Sequence, residues 1–395
     1  MDESPQTEPR PGWQAPVAVL AGAFLFNLGQ GVLRPTMPLY LQRVFSANYR
    51  MVTLIPVVFG LGKWVASLPT GYLLDRLGRR RLMAGGLILI ALGDLGSAMT
   101  SSYGVFLSLR ALGGVGWAAF STVAMTTMVG HPAAHGRGRA VSLLLMSETA
   151  GLLVGSLAGG WLYQGVSLGS PFVFEAACMV LAAVIIGRRG VLTAEPRSAL
   201  TPARLDWRLL GVVLRTPGVL LMSLSNAVLI AVQTGVLVFL YPLYLVEQGG
   251  LSPATVGLLV SLSVLGRLLA TWLGGSASDR WGRLRVFVPG VLAYAALLGS
   301  LPLVTHPVAL ALWSLAIGAA AGFVAGLPTA LIGDRVAPPL QGVAVGWLRT
   351  MTDAGHILGP VVMGALADTM RLSAPFLFAA VLLMAIAWRC RRQPA

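Results

Sequence analysis

Apolar stretches of about 20 residues recur along almost the whole chain, and a run of that length crosses a bilayer as a helix. One of them, from Pro16 to Tyr40, begins after only a short polar start. Of the 395 residues, 56% are hydrophobic and 11% charged, and the mean hydropathy is +0.78. A soluble domain of this length needs roughly twice that share of charge to cover its surface. The pattern predicts twelve membrane-spanning helices, at residues 16–40, 50–74, 82–99, 104–129, 139–163, 171–188, 217–246, 253–278, 286–304, 308–333, 342–367 and 374–389. The fold class expected is an all-α membrane protein. The first 15 residues carry Asp2, Glu3 and Glu8 against Arg10 alone, unlike the basic leader of a cleavable signal peptide, so the first span is expected to stay in the mature protein.

A net charge of +14 would suggest a nucleic-acid partner in a soluble protein, but here the cations sort by side of the membrane. With the N-terminus in the cytoplasm, about twenty basic residues fall on the inner side, among them Arg76, Arg79, Arg80, Arg81, Arg137, Arg139, Arg188, Arg189, Arg280, Arg283 and Arg285. The outer loops hold Arg43, Arg50 and Arg371. Both termini are therefore expected on the cytoplasmic face of the inner membrane, and no nucleic-acid partner is needed. The stretch from Arg188 to Arg215, with Pro196 and Pro202 and no apolar period, reads as a linker. The expected organisation is a cytoplasmic segment 1–15, a six-helix half 16–188, a cytoplasmic linker 189–216, a second six-helix half 217–389 and a tail 390–395.

Shifted by 204 residues, the chain matches itself without a gap. Gly31-Val32-Leu33 returns as Gly235-Val236-Leu237, and Pro38-Leu39-Tyr40-Leu41 as Pro242-Leu243-Tyr244-Leu245. Lys63 becomes Arg267, and Pro171-Phe172 becomes Pro375-Phe376. Because each half holds an even number of spans, the copies are expected to be related by a pseudo-twofold axis along the membrane normal. In that plan a substrate site lies near the midplane between the halves.

Between the second and third spans, Gly71, Asp75, Arg76, Gly78, Arg79 and Arg81 recur in the other half as Gly275, Asp279, Arg280, Gly282, Arg283 and Arg285. Glycine permits a tight turn, and a carboxylate at a helix end caps a neighbouring helix or pairs with arginine. The spacing resembles the G-x-x-x-D-R-x-G-R-R loop of the major facilitator superfamily. That resemblance implies twelve helices in two halves, transport of a small molecule, and a cytoplasmic latch role for Asp75, Arg76 and Arg79. In the fourth span, Arg110-Ala-Leu-Gly113-Gly114-Val-Gly116 is similar to a family motif associated with proton coupling. Its repeat partner is Ser314, so the fold does not demand the charge; it either pairs with Asp94, relays protons, or does both. In the fifth span, Gly151, Gly155, Gly159 and Gly160 resemble the antiporter motif of the drug/proton branch, with Ser156 where that motif has proline. Close helix packing explains the same glycines.

Ionisable groups in the hydrocarbon core cost a few kcal/mol or more unless paired or wetted. Lys63 and Asp353 lie at matching depth, as do Arg267 and Glu148; the resemblance implies that spans 2 and 11 face each other across the halves, as do spans 5 and 8, which suggests two ion pairs, either static or broken by protonation. Arg349, one turn before Asp353, offers that carboxylate a local partner instead. Arg34, with Asn27 and Gln30 on preceding turns, either lines the cavity toward an anionic group or snorkels outward, and Glu175 either partners it or lies at the interface. Asn226, Gln233 and Tyr241 complete the cavity candidates, with Tyr40, Tyr244 and Phe239 as aromatic additions. So few polar side chains point to a hydrophobic or amphipathic substrate. His131 and His135 have metal-site spacing but sit beside Pro132 and Gly136 in a turn, His356 lies near the Lys63–Asp353 pair, and Cys178 and Cys390 are read as packing and tail residues.

No metal or cofactor is expected, and the partners expected are a small-molecule substrate, protons and the lipid bilayer, in a monomer. The chain has no hydrolase or phosphate-binding signature of an enzyme or an ATP-driven pump. Two readings stand: proton-coupled efflux of small hydrophobic or amphipathic compounds, and proton symport importing an organic anion or sugar.

Overall fold

The computed structural model describes residues 14–129, 137–188, 207–337 and 340–392. His131, His135 and linker residues 189–206 lie outside the described residues, as do the surroundings of Gly71 and Asp75. The first half comprises α1 (Gln14–Phe45), α2 (Tyr49–Met99), α3 (Tyr103–Val129), α4 (Arg137–Gly165) and α5 (Ser170–Arg188). A nine-residue helix, α6 (Trp207–Arg215), follows; it is amphipathic and packs against α7 and α13. The second half comprises α7 (Val219–Ala231), a π-helix (Val232–Leu240) continued by α8 (Tyr241–Glu247), α9 (Pro253–Trp281), α10 (Arg283–Ser300), α11 (Pro307–Ala325), α12 (Leu327–Arg335), α13 (Gln341–Thr369) and α14 (Ala374–Arg391).

Two membrane crossings share α2 because only Gly78 leaves the helical region between them, at φ 77° and ψ 157°. Gly282 makes the corresponding turn between α9 and α10, at φ 94° and ψ 142°. Both glycines stand in the loop repeat, and a positive φ is why that position demands glycine. Eleven of the described segments are long and apolar enough to cross a membrane. The twelfth crossing is α13, whose 29 residues include Arg349, Asp353 and Asp368 and are therefore less apolar.

Glycine also sets the packing. A methyl group added at Gly151, Gly155 or Gly159 would lie 2.3, 2.1 or 2.2 Å from the backbone oxygens of Phe24, Leu28 or Val32, so α4 touches α1 backbone to backbone. In the other copy Gly355 and Gly359 meet Ala227 and Ala231 of α7 in the same way. The halves themselves meet at Gly160 against Pro253 and Ala254, and at Gly364 against Thr53 and Tyr49. These two contacts exchange under the 204-residue shift, which is the pseudo-twofold expressed in coordinates. Without a hydrophobic force between helices in lipid, such close backbone approach is what holds them together.

Gly155→Val, which overpacks the α1–α4 seam, is expected to destabilise the protein by about 1–3 kcal/mol. Gly187→Val, where an added methyl meets nothing within 4 Å, should leave the thermal midpoint in detergent near that of the parent. Equal midpoints for the two variants would contradict this account of the seam.

Candidate functional site

Two adjoining cavities, of about 300 and 420 Å³, lie between the halves and share Arg34 and Val238 in their walls. The first is bounded by α1, α2, α3, the π-helix and α13, and carries Phe59, Trp64, Trp117 and Phe239 beside Gln30, Lys63, Arg110, Arg349, Asp353 and His356. The second lies where α4 and α9 part, and carries Thr149, Gln233, Arg267 and Trp272. Gln233, Thr234, Val238 and Phe239 all come from the π-helix, whose wider winding turns successive residues onto the cavity.

Lys63 Nζ stands 3.8 Å from Asp353 Oδ1 and 4.3 Å from the centre of the Trp117 ring, so an ion pair links α2 to α13 across the halves. Asp353 takes Lys63, while Arg349 faces the cavity without an ion pair among the described residues. The second pair expected at the same depth is not formed: Arg267 lines the cavity, and neither it nor Glu148 makes an ion pair among the described residues. Helix periodicity is the reason. Glu148 shares its stripe with Gly151 and Gly155, which face α1, whereas Leu153, Ser156 and Gly160 of α4 meet α9.

A second charged group is fully buried. Arg110 pairs with Asp94 and donates from Nη2 to Ser97 Oγ at 3.1 Å; Asp94 has no exposed surface and Arg110 3%. Glu175, also without exposed surface, accepts from Gln30 Nε2 at 2.5 Å. Glu175 lies within interacting range of Asp94, and Asp94 Oδ2 and Glu175 Oε2 are buried with no hydrogen-bond partner among the described residues. Gln30 and Arg110 connect this cluster to the first cavity. Glu175 is thus engaged with Gln30 and Asp94, not with Arg34, and Arg34 lines both cavities instead of reaching the outer interface. The signal that finds Glu175 is its acidic character inside an apolar span.

Three expected cavity residues are turned elsewhere. Asn27 donates to Ala23 O at 3.0 Å on its own helix and packs toward Gly151. Asn226 donates to Thr352 Oγ1 at 2.8 Å, joining α7 to α13. Tyr241 is buried, with its hydroxyl 2.6 Å from Ser314 Oγ and its ring on Trp313. Each amide or hydroxyl finds a partner within the packed helices, which in hydrocarbon is worth more than an open wall. Of the aromatic additions, Phe239 lines the cavity, Tyr40 donates to Ser97 O at 3.1 Å, and Tyr244 packs on Phe376. His356 Nδ1 meets Thr234 Oγ1 at 2.8 Å at the cavity edge.

In the loop repeat, Arg283 binds Asp279, Asp334 (2.9 Å) and Ser278 (2.7 Å), all in its own half, and Arg280 lies over Trp281. Arg76 and Arg79 lie at the same end of the bundle beside Gly78. The halves are fastened at the opposite end. Asp368 accepts from the first-turn amides of Tyr49 (2.9 Å) and Arg50 (3.0 Å), and Gln164 accepts from Ala254 N at 3.3 Å. Gln164 and Asp368 are repeat equivalents, so each half caps a helix of the other, where the amide ends and the helix dipole favour an acceptor. Glu247 adds Gln42 at 2.6 Å and Tyr49 Oη at 2.5 Å. These caps were not visible in the sequence, because capping across halves depends on which helix ends meet.

The chain matches the family profile described as Major Facilitator Superfamily over residues 19–249 and 224–394. It is 24% identical to Multidrug resistance protein 2 of Bacillus subtilis, covering 92% of this chain and 91% of that one. It is 27% identical to the MFS-type transporter YcaD of Escherichia fergusonii, covering 73% and 72%. Its fold is similar to that of the nucleoside transporter NupG, with a TM-score of 0.77 and 15% identity over 95% of this chain and 98% of that one.

Asp368→Asn weakens the acceptor at the closed end. A single cysteine introduced at Met37 on the cavity wall, with Cys178 and Cys390 replaced, is expected to react several-fold faster with an impermeant thiol reagent added from that end. An unchanged rate would show that Asp368 does not hold the halves together.

Proposed function

Because the chain belongs to the Major Facilitator Superfamily, we propose that it is a secondary transporter working by alternating access, which couples proton movement to the export of small hydrophobic or amphipathic compounds across the inner membrane. The observation that carries this reading is the cavity between the halves, closed at one end, lined by Phe59, Trp64, Trp117 and Phe239, and bounded by Gln30 and Arg110 of the buried charged cluster. The likeness to a multidrug resistance protein of Bacillus subtilis supports the export direction. The sorting of arginines supports cytoplasmic termini, and on that orientation the closed end faces outward and the cavity opens inward. A monomer with residues 189–216 as a cytoplasmic connector belongs to the same reading.

Coupling follows from charge. The cluster sets two carboxyls against one guanidinium, and a single proton between Asp94 Oδ2 and Glu175 Oε2 gives both oxygens a bond and makes the cluster neutral. Its release leaves a net negative charge beside Gln30 and Arg110, which are wall residues, so proton and substrate act on one surface. None of the three charged members recurs in the second half, where Leu298, Ser314 and Ala379 stand, so the architecture does not require them. Lys63 and Asp353 supply a second device: protonating Asp353 removes the attraction that ties α2 to α13. Glu148 remains a candidate on α4, Asp75, Arg76, Arg79, Asp279, Arg280 and Arg283 form the latch at the open end, and the glycines at 151, 155, 159 and 160 act as the hinge-side seam. Proton symport importing an organic anion is the second reading, favoured by the excess of Arg34, Lys63 and Arg349 over Asp353 on the wall.

In proteoliposomes with an imposed pH gradient, Glu175→Gln and Asp94→Asn are expected to lower gradient-driven flux at least about tenfold while leaving gradient-free exchange within about twofold. Glu148→Gln should do less. If Glu175→Gln accumulates substrate as the parent does, the proton assignment is wrong; if flux requires the opposite gradient, the symport reading replaces export.

A further inference from the structure

The second cavity holds two guanidiniums and no carboxylate. Arg34 of the first half and Arg267 of the second both line it, close enough to interact electrostatically, and neither forms an ion pair among the described residues. The repeat shows what is missing. Lys63, the equivalent of Arg267, faces Asp353, whereas the equivalent of Asp353 is Thr149, which stands in the cavity wall with Arg267. The equivalent of Arg34 is Val238, so the fold does not require a cation there either. Both acids that the sequence offers as partners are committed or turned away: Glu175 to Gln30 and Asp94, Glu148 to the α1 side of α4.

Resting on the transporter reading above, we infer that Arg34 and Arg267 form the anion subsite of the substrate, which is an amphipathic organic anion with a carboxylate, sulfonate or phosphate head. Like charges at membrane depth repel, and a solvated cavity relieves that repulsion less well than a bound anion does. Guanidinium groups suit such a head because each presents a planar fork of donors to two oxygens. Gln233 adds a neutral donor, and Met146, Leu268 and Trp272 offer an apolar face to the rest of the molecule. Since the two arginines come from opposite halves, an anion held by both also draws the halves together, as occlusion of a substrate requires.

The test uses the purified full chain and three probes with one aromatic body: 1-naphthalenesulfonate, 1-naphthalenemethanol and 1-naphthylmethylammonium. Equilibrium binding to the parent should favour the sulfonate over the alcohol by at least about tenfold, with the ammonium weakest. Arg34→Gln and Arg267→Gln should each remove most of that preference, Arg34→Lys and Arg267→Lys should keep part of it, and Arg391→Gln, at the exposed end of α14, should keep all of it. Equal affinity for the three probes, or a preference that survives both glutamine variants, overturns the inference. Gradient-driven flux of a neutral or cationic compound in the same preparation separates the two claims: flux without anion preference sinks the subsite alone, and anion binding without flux of any probe sinks the transport reading.

Discussion

A charge at membrane depth has almost no water to lean on, and the arrangement of this protein follows from how each such charge is compensated. Asp94 and Glu175 are fully buried and Arg110 nearly so, with Ser97 and Gln30 as polar neighbours. Lys63 and Asp353 share an ion pair at the edge of the cavity, backed by Trp117. Arg34 and Arg267 line the cavity and form no ion pair among the described residues. This gradation, from buried cluster through partly exposed pair to cavity-lining guanidinium, runs along the cavities between the halves.

The scaffold beneath is symmetric and apolar. Glycine seams fix α4 on α1 and α13 on α7, and the caps at Asp368 and Gln164 tie the halves at one end with groups that exchange under the repeat. Hydrogen bonds to helix amides are strong when made and leave unpaired donors when broken. The charged residues break the symmetry: Arg110, Asp94, Glu175 and Arg34 have Ser314, Leu298, Ala379 and Val238 as equivalents.

How much of this was legible in the sequence depended on the range of the interaction. Lys63 with Asp353 was readable because the two lie at one depth and the family resemblance sets their spans against each other across the halves. The same reasoning misplaced Arg267 with Glu148, since depth says nothing of azimuth, and Glu148 points along the glycine stripe of α4. Asn27, Asn226 and Tyr241 were polar enough to suggest a cavity wall, yet each found a partner inside the packing. Glu175 was noticed as a buried acid, but its partners on α1 and α2 were not.

The sequence by itself determined the number of crossings, their duplication, the turns at Gly78 and Gly282 and the glycine stripes, because hydrophobic length, period and backbone sterics are local properties that each segment carries alone. Tertiary structure decided which charges meet, which helix ends cap one another and which side chains line the space between the halves. Those outcomes turn on the rotation of each helix about its own axis and on the tilt between the halves, and both are fixed only when all the seams close together.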